Sequence, residues 1–202
     1  GTPYIYQGEE LGMTNAGFTS ASQYRDVESL HYFDILKESG IDEAEVFEIL
    51  RQRSRDNSRT PMQWSDGVNA GFTSAVPWIE VNRNHTTINA EECLEDSDSI
   101  FYYYQKLIRL RKEYDVISEG GYEPILEDHE AVFAYKRIYG GETLIVLTNF
   151  TDTCQFIEAA DIKLSEEELT KYKTLIANDG LLRSATGIRL APYGAVMLIR
   201  EP

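Results

Sequence analysis

Ala131-Val132-Phe133-Ala134-Tyr135-Lys136-Arg137-Ile138-Tyr139-Gly140-Gly141-Glu142-Thr143-Leu144-Ile145-Val146-Leu147 joins two runs of β-branched, aromatic and aliphatic residues through a pair of glycines. Such runs suit a pleated, half-buried surface, and Gly-Gly between them supplies a hairpin turn. Two similar runs come later, Tyr172-Lys173-Thr174-Leu175-Ile176 and Ala195-Val196-Met197-Leu198-Ile199, the second after the turn Pro192-Tyr193-Gly194. The spacing predicts an antiparallel meander closing into a small sandwich. It starts near Tyr122, after Gly120-Gly121, and its aromatics read as core. His129 reads as an inert loop residue.

Upstream the pattern is helical. Tyr24-Arg25-Asp26-Val27-Glu28-Ser29-Leu30 leads into a helix that reaches Lys37 and is closed by Gly40. Asp42 and Glu45 form a capping box for the next helix, where Val46, Ile49, Leu50 and Arg53 recur at helical spacing. Residues 65–95 show little periodicity, and Phe72, Trp78 and Ile79 are the expected anchors of a covering loop. Asp96-Ser97-Asp98 caps a helix to about Tyr114, with Ile100, Tyr103, Tyr104, Leu107 and Ile108 on one face. Thr2 to Gln7 reads as a short buried strand, and Glu9-Glu10 lies in the turn after it. The chain has no initiator Met and opens straight into this apolar run, so it reads as cut from something longer.

Between the second helix and the aperiodic segment lies Ser54-Arg55-Asp56-Asn57-Ser58-Arg59-Thr60-Pro61-Met62-Gln63-Trp64. Pro61 disfavours helix at Thr60 and removes a backbone donor, which makes this a shaped loop. Planar hydrogen-bonding groups beside an indole suit a polyhydroxylated ligand. They equally suit a structural loop whose arginines pair with carboxylates.

The totals set limits. At 202 residues the chain can bury a core as one domain or two. Its net charge of -15 argues against nucleic acid or an anionic membrane as partner. Cys93 and Cys154 share no short spacing, so no metal knuckle or disulfide framework is indicated. They read as ordinary thiols of a reducing compartment.

Taken together, several stretches resemble the α-glucosidase branch of the α-amylase superfamily of glycoside hydrolases. Gly1-Thr2-Pro3-Tyr4-Ile5-Tyr6-Gln7-Gly8-Glu9-Glu10-Leu11-Gly12-Met13 resembles its eighth barrel strand and following loop. Tyr24 to Ser29, Ser54 to Trp64, Asn69-Ala70-Gly71-Phe72-Thr73 and Pro77-Trp78-Ile79 come in the family's order, and Ser99 to Tyr104 resembles the last barrel helix. The resemblance implies an α+β chain: the last βα part of a (β/α)8 barrel at 1–118, then an all-β antiparallel C-terminal sandwich at 119–202. It is similar in particular to bacterial oligo-1,6-glucosidases, dextran glucosidases and trehalose-6-phosphate hydrolases, a resemblance that implies a cytoplasmic location.

That resemblance also implies a division of labour. Retaining hydrolysis needs an aspartate nucleophile and a glutamate acid about 5 Å apart. The family draws both, and an Asn-His-Asp motif, from barrel strands upstream of Gly1. No catalytic residue is therefore expected in this chain, and the missing N-terminal barrel portion is its expected covalent partner. By the same resemblance Arg55 would contact the innermost glucose and Glu28 the neighbouring subsite. Asp56, Arg59, Gln63 and Glu10 would support the loops, with Trp64 packed beneath. No metal and no cofactor is implied. The implied substrate is an α-1,6-linked isomalto-oligosaccharide, with trehalose 6-phosphate or sucrose as alternatives. From a different class, the chain could act alone as a carbohydrate-binding or scaffolding module.

Overall fold

The computed structural model describes residues 2–178 and 182–202; Gly1, the first residue of the amino-terminal motif, lies outside them. The chain divides into two units, Pro3–Tyr104 and, beyond it, Gln105–Pro202.

The first unit is built from helices and turns. α1 (Val27–Glu38) and α2 (Glu43–Arg53) form a hairpin around Gly40, whose φ of 86° suits a residue without Cβ. Asp42 caps α2 by accepting from the Ala44 amide (2.9 Å). The core gathers Phe18, Tyr24, Val46, Phe47, Leu50 and Ile79, with Leu30, Phe33 and Leu36 of α1 against it. Phe47, and not Ile49, completes the buried face of α2. α3 (Ala90–Glu95) is capped by Asn89 within the segment predicted to be irregular, and α4 (Ile100–Glu113) comes after it. The division between the units falls within α4.

Three expectations fail in this unit. Residues 2–6 form no strand and have no sheet partner: Tyr4 is 93 % exposed, and Ile5 and Tyr6 also face solvent. A strand buried on both faces needs neighbours on both sides, and none of the described strands lies beside this one. Of the three predicted anchors only Ile79 is buried, whereas Phe72 and Trp78 are exposed. Trp64 is exposed too, because the loop it starts is held from the backbone. The Trp64 and Ser65 amides both donate to the Ala70 carbonyl (2.9 and 3.1 Å). Asn69, Ala70 and Gly71 take φ of 52°, 55° and 67° in succession. Two non-glycine residues in the left-handed region cost conformational energy, and Asn69 offsets it by donating to the Thr73 and Ala75 carbonyls (both 2.9 Å).

The second unit carries the strands. α5 (Asp115–Glu119) runs into β1 (Gly121–Ile125), β2 (Val132–Tyr139), β3 (Glu142–Asn149) and β4 (Gln155–Glu158). After α6 (Glu166–Thr170) come β5 (Lys173–Ala177), β6 (Leu182–Arg183), β7 (Gly187–Leu190) and β8 (Ala195–Arg200). All pairings are antiparallel, in one sheet ordered β1-β2-β3-β8-β5 and another ordered β4-β7-β6. The meander thus extends only over β1 to β3; β8 returns to pair with β3. Ala134, Ile145, Leu147 and Leu198 of the larger sheet share one core with Ile157, Ile188 and Leu190 of the smaller. On the opposite face of the larger sheet, Val116 of α5 packs with Leu144, Val146 and Ile199.

Tyr172 is buried in the core between the sheets, as its position in a strand run suggested, whereas Tyr122, Phe133, Tyr139, Phe150, Phe156 and Tyr193 are exposed. Strand alternation turns Val132, Ala134 and Lys136 inward and sends Phe133 and Tyr135 to the other face. There Tyr122 and Phe133 flank Tyr135 with ring centroids 5.4 and 5.8 Å away, and both outer rings are exposed. His129 Nδ1 accepts from the Ala131 and Val132 amides (3.2 and 3.1 Å), so it shapes the turn into β2.

Candidate functional site

Where α2 ends, Ser54 caps a single 3-10 turn, Arg55–Ser58, its Oγ accepting from the Asp56 amide (3.2 Å). The Asp56 side chain is thereby driven inward, where it is 0 % exposed. Its Oδ2 accepts from the amides of Arg25 (2.7 Å) and Asp26 (2.8 Å), which ties the turn to the start of α1. Asp26 is the N-cap of α1, and its Oδ2 accepts from the Ser29 amide (3.1 Å) and hydroxyl (2.8 Å). Ser29 Oγ also lies 2.8 Å from Ser54 Oγ.

Asp26 Oδ1 faces the other way and accepts from Arg55 Nη2 (2.8 Å) and Arg59 Nη1 (3.4 Å). Asp26 is 4 % exposed. Burial alone would raise its pKa, but the hydrogen bonds from Ser29 and Arg55 outweigh it and hold the carboxyl below the usual aspartate range. Hydrogen bonding to Asp26 in turn raises the Arg55 pKa, so the guanidinium stays charged. Arg59 Nη1 stands 3.7 Å from Asp56 Oδ1, which among the described residues has no hydrogen-bond partner.

Arg55 itself is 57 % exposed, and Glu28 Oε2 lies 3.3 Å from its Nη2. Among the described residues, Nε and Nη1 of Arg55 have no acceptor. The arginine therefore holds the protein with one corner and turns the rest of its fork outward. A cavity of about 420 Å³ opens there, lined among others by Glu28, Tyr32, Ile49 and Arg53.

Of the residues singled out from sequence, Arg55, Glu28, Asp56 and Arg59 come together here. Gln63 and Glu10 do not. Gln63 is fully buried and donates to Asn84 Oδ1 (3.2 Å) and the Ile88 carbonyl, bracing a neighbouring loop. Glu10 Oε2 accepts from the Gly8 amide (2.8 Å) within its own turn. Asp26, Ser29 and Ser54 were missed. The available signal was the repeat of Arg-Asp at 25–26 and 55–56, each pair beside a helix terminus. Among the described residues no group of three or more His, Cys, Asp or Glu side chains could hold a metal ion.

The sequence model of the α-amylase catalytic domain matches residues 1–120. The chain belongs to the α-amylase family. This family member is 47 % identical over 197 residues to the trehalose-6-phosphate hydrolase of Bacillus subtilis (strain 168), covering 98 % of this chain and 35 % of that protein. It is 46 % identical over 199 residues to the oligo-1,6-glucosidase of Bacillus cereus, again with 98 % and 35 % covered. Among solved structures, trehalose-6-phosphate hydrolase of Bacillus licheniformis superposes with a TM-score of 0.91 at 50 % identity, over 98 % of this chain and 36 % of that one. Isomaltulose synthase of Klebsiella sp. LX3 gives 0.83 at 32 % identity, over 98 % and 35 %. This α-amylase family chain thus spans about a third of the length of the relatives it matches.

Proposed function

We propose that the chain is the C-terminal third of a retaining α-glucosidase that hydrolyses α-1,6 links in short isomalto-oligosaccharides. In this reading residues 1–118 are the end of a catalytic barrel and 119–202 a β-sandwich domain. The observation that carries it is the guanidinium of Arg55, anchored on buried Asp26 and open toward the cavity beside Glu28. A sugar presents several hydroxyls, each both donor and acceptor, and a fixed cationic fork orients them better than a freely rotating ammonium. Arg55 would grip the innermost glucose and Glu28 the next unit. The nucleophile and general acid would come from barrel strands outside residues 1–202, set about 5 Å apart for retention. No metal or cofactor takes part. The apolar run at Tyr4 to Tyr6, bare in this chain, would be covered by that missing barrel portion. Free Cys93 and Cys154 suit a cytoplasmic enzyme.

Trehalose 6-phosphate is the second substrate reading, favoured by the likeness to hydrolases of that name. The test is a panel of isomaltose, trehalose 6-phosphate and sucrose on the intact enzyme, with Arg55→Ala beside it. We expect isomaltose to give the highest kcat/KM and Arg55→Ala to lower it by about 100-fold or more. Higher kcat/KM on trehalose 6-phosphate would transfer the assignment to that substrate. Near-wild-type kinetics of Arg55→Ala on all three would remove Arg55 from the site.

A further inference from the structure

We infer that Asp26 is the positioning residue for Arg55, and that the two Arg-Asp dipeptides, Arg25-Asp26 and Arg55-Asp56, form a reciprocal clasp that fixes the sugar-facing guanidinium. This deepens the proposed function and rests on its placement of Arg55 in the substrate site.

The clasp closes in both directions. The Asp56 carboxylate holds the backbone of the first dipeptide through the Arg25 and Asp26 amides (2.7 and 2.8 Å). The Asp26 carboxylate holds the side chain of the second through Arg55 Nη2 (2.8 Å). Each aspartate is nearly or fully buried, so neither can turn to solvent instead. Asp26 is fixed a second time by Ser29, whose amide and hydroxyl occupy Oδ2 and leave Oδ1 aimed at Arg55. An arginine with an exposed end otherwise samples many rotamers. Glu28 cannot supply the restraint, because both partners of that pair are more than half exposed and 3.3 Å apart, a geometry that contributes little. Arg59 approaches the same oxygen from 3.4 Å. The carboxylate that caps α1 is thus the one that aims Arg55, so the helix start and the sugar contact move together.

A purely structural Asp26 would stabilise α1 and do nothing for turnover, and a double-mutant cycle separates the two. In the intact enzyme, Asp26→Asn keeps a good helix cap and removes the charge that holds Arg55. We expect it to lower kcat/KM on the preferred disaccharide by about 10- to 100-fold, since misplacing a substrate clamp is costly. On an Arg55→Ala background the same substitution should cost less than about twofold, because residues acting through one another are not additive. If Asp26→Asn does not fold, Asp26→Ser keeps a capping hydroxyl too short to reach Arg55 and is judged by the same cycle. Near-wild-type turnover of Arg55→Ala would remove the site reading and this inference with it. A large Arg55→Ala loss with Asp26→Asn within twofold of wild type would overturn the inference alone. So would an Asp26→Asn loss that persists in full without Arg55.

Discussion

Lys136 faces the interior of the second unit from β2 and is only 7 % exposed. Burial lowers its pKa, more than the attraction of Glu123 and Glu168 restores it, with Lys163 and Arg200 nearby adding repulsion. A base whose folded pKa lies below its unfolded value opposes folding while it is charged. That penalty is present at neutral pH and fades as pH rises through the depressed value toward the ordinary lysine pKa of about 10.4. Lys136→Met keeps the aliphatic stem without the charge and should stabilise the protein at pH 7 by roughly 1 kcal/mol. Thermal melts at pH 7 and pH 10 check this: the gain should shrink at the higher pH. Reading Phe133 and Tyr135 as core implies, by period-two alternation, an outward residue at 136, so the inward lysine is a finding of the structure. Asp26 was harder to find. Its partner lies 29 positions along the chain, and a carboxylate before a helix is explained fully by capping, so nothing local calls for a second role.

Among elements, those with a strong internal period were legible and those needing a distant neighbour were not. α1, α2, β2, β3, β5 and β8 are each announced by apolar spacing and turn residues. β4 and β7 are four residues each, too short to show a period, and they exist because they pair with each other. Gly187 shows how tight that pairing is. A Cβ there would lie 2.5 Å from the Ile157 carbonyl oxygen and 2.7 Å from Phe156 Cζ. The backbone oxygen cannot yield without shifting β4, so Gly187→Ala should destabilise the protein by about 1–3 kcal/mol, read as a lower urea midpoint. Gly140→Ala is the matched control. Its Cβ meets nothing within 4 Å, leaving only the cost of its positive φ of 57°. The run Thr2 to Gln7 failed for the opposite reason: its composition is that of a strand, but pairing is made with partners, and the described residues supply none.

Across the whole molecule, the change from helical to alternating patterns at Gly120-Gly121 is visible in sequence, yet α5, just before it, packs as part of the β unit. Val116 is 0 % exposed and packs on Leu144, Val146 and Ile199, with Tyr114 and Ile117 half-buried against the same cluster. Five residues show too little of a period to announce such a face. Full burial of one valine contributes about 1.5 kcal/mol or more, and without α5 the sheet would expose apolar area beneath it. A polypeptide of residues 105–202 should therefore fold cooperatively and melt several degrees above one of residues 119–202, since 1 kcal/mol moves Tm by about 4–8 °C at this size. Circular dichroism melts of the two decide it. Equal midpoints would mean that α5 contributes nothing to the β unit, and that folding of this unit begins where the strands do.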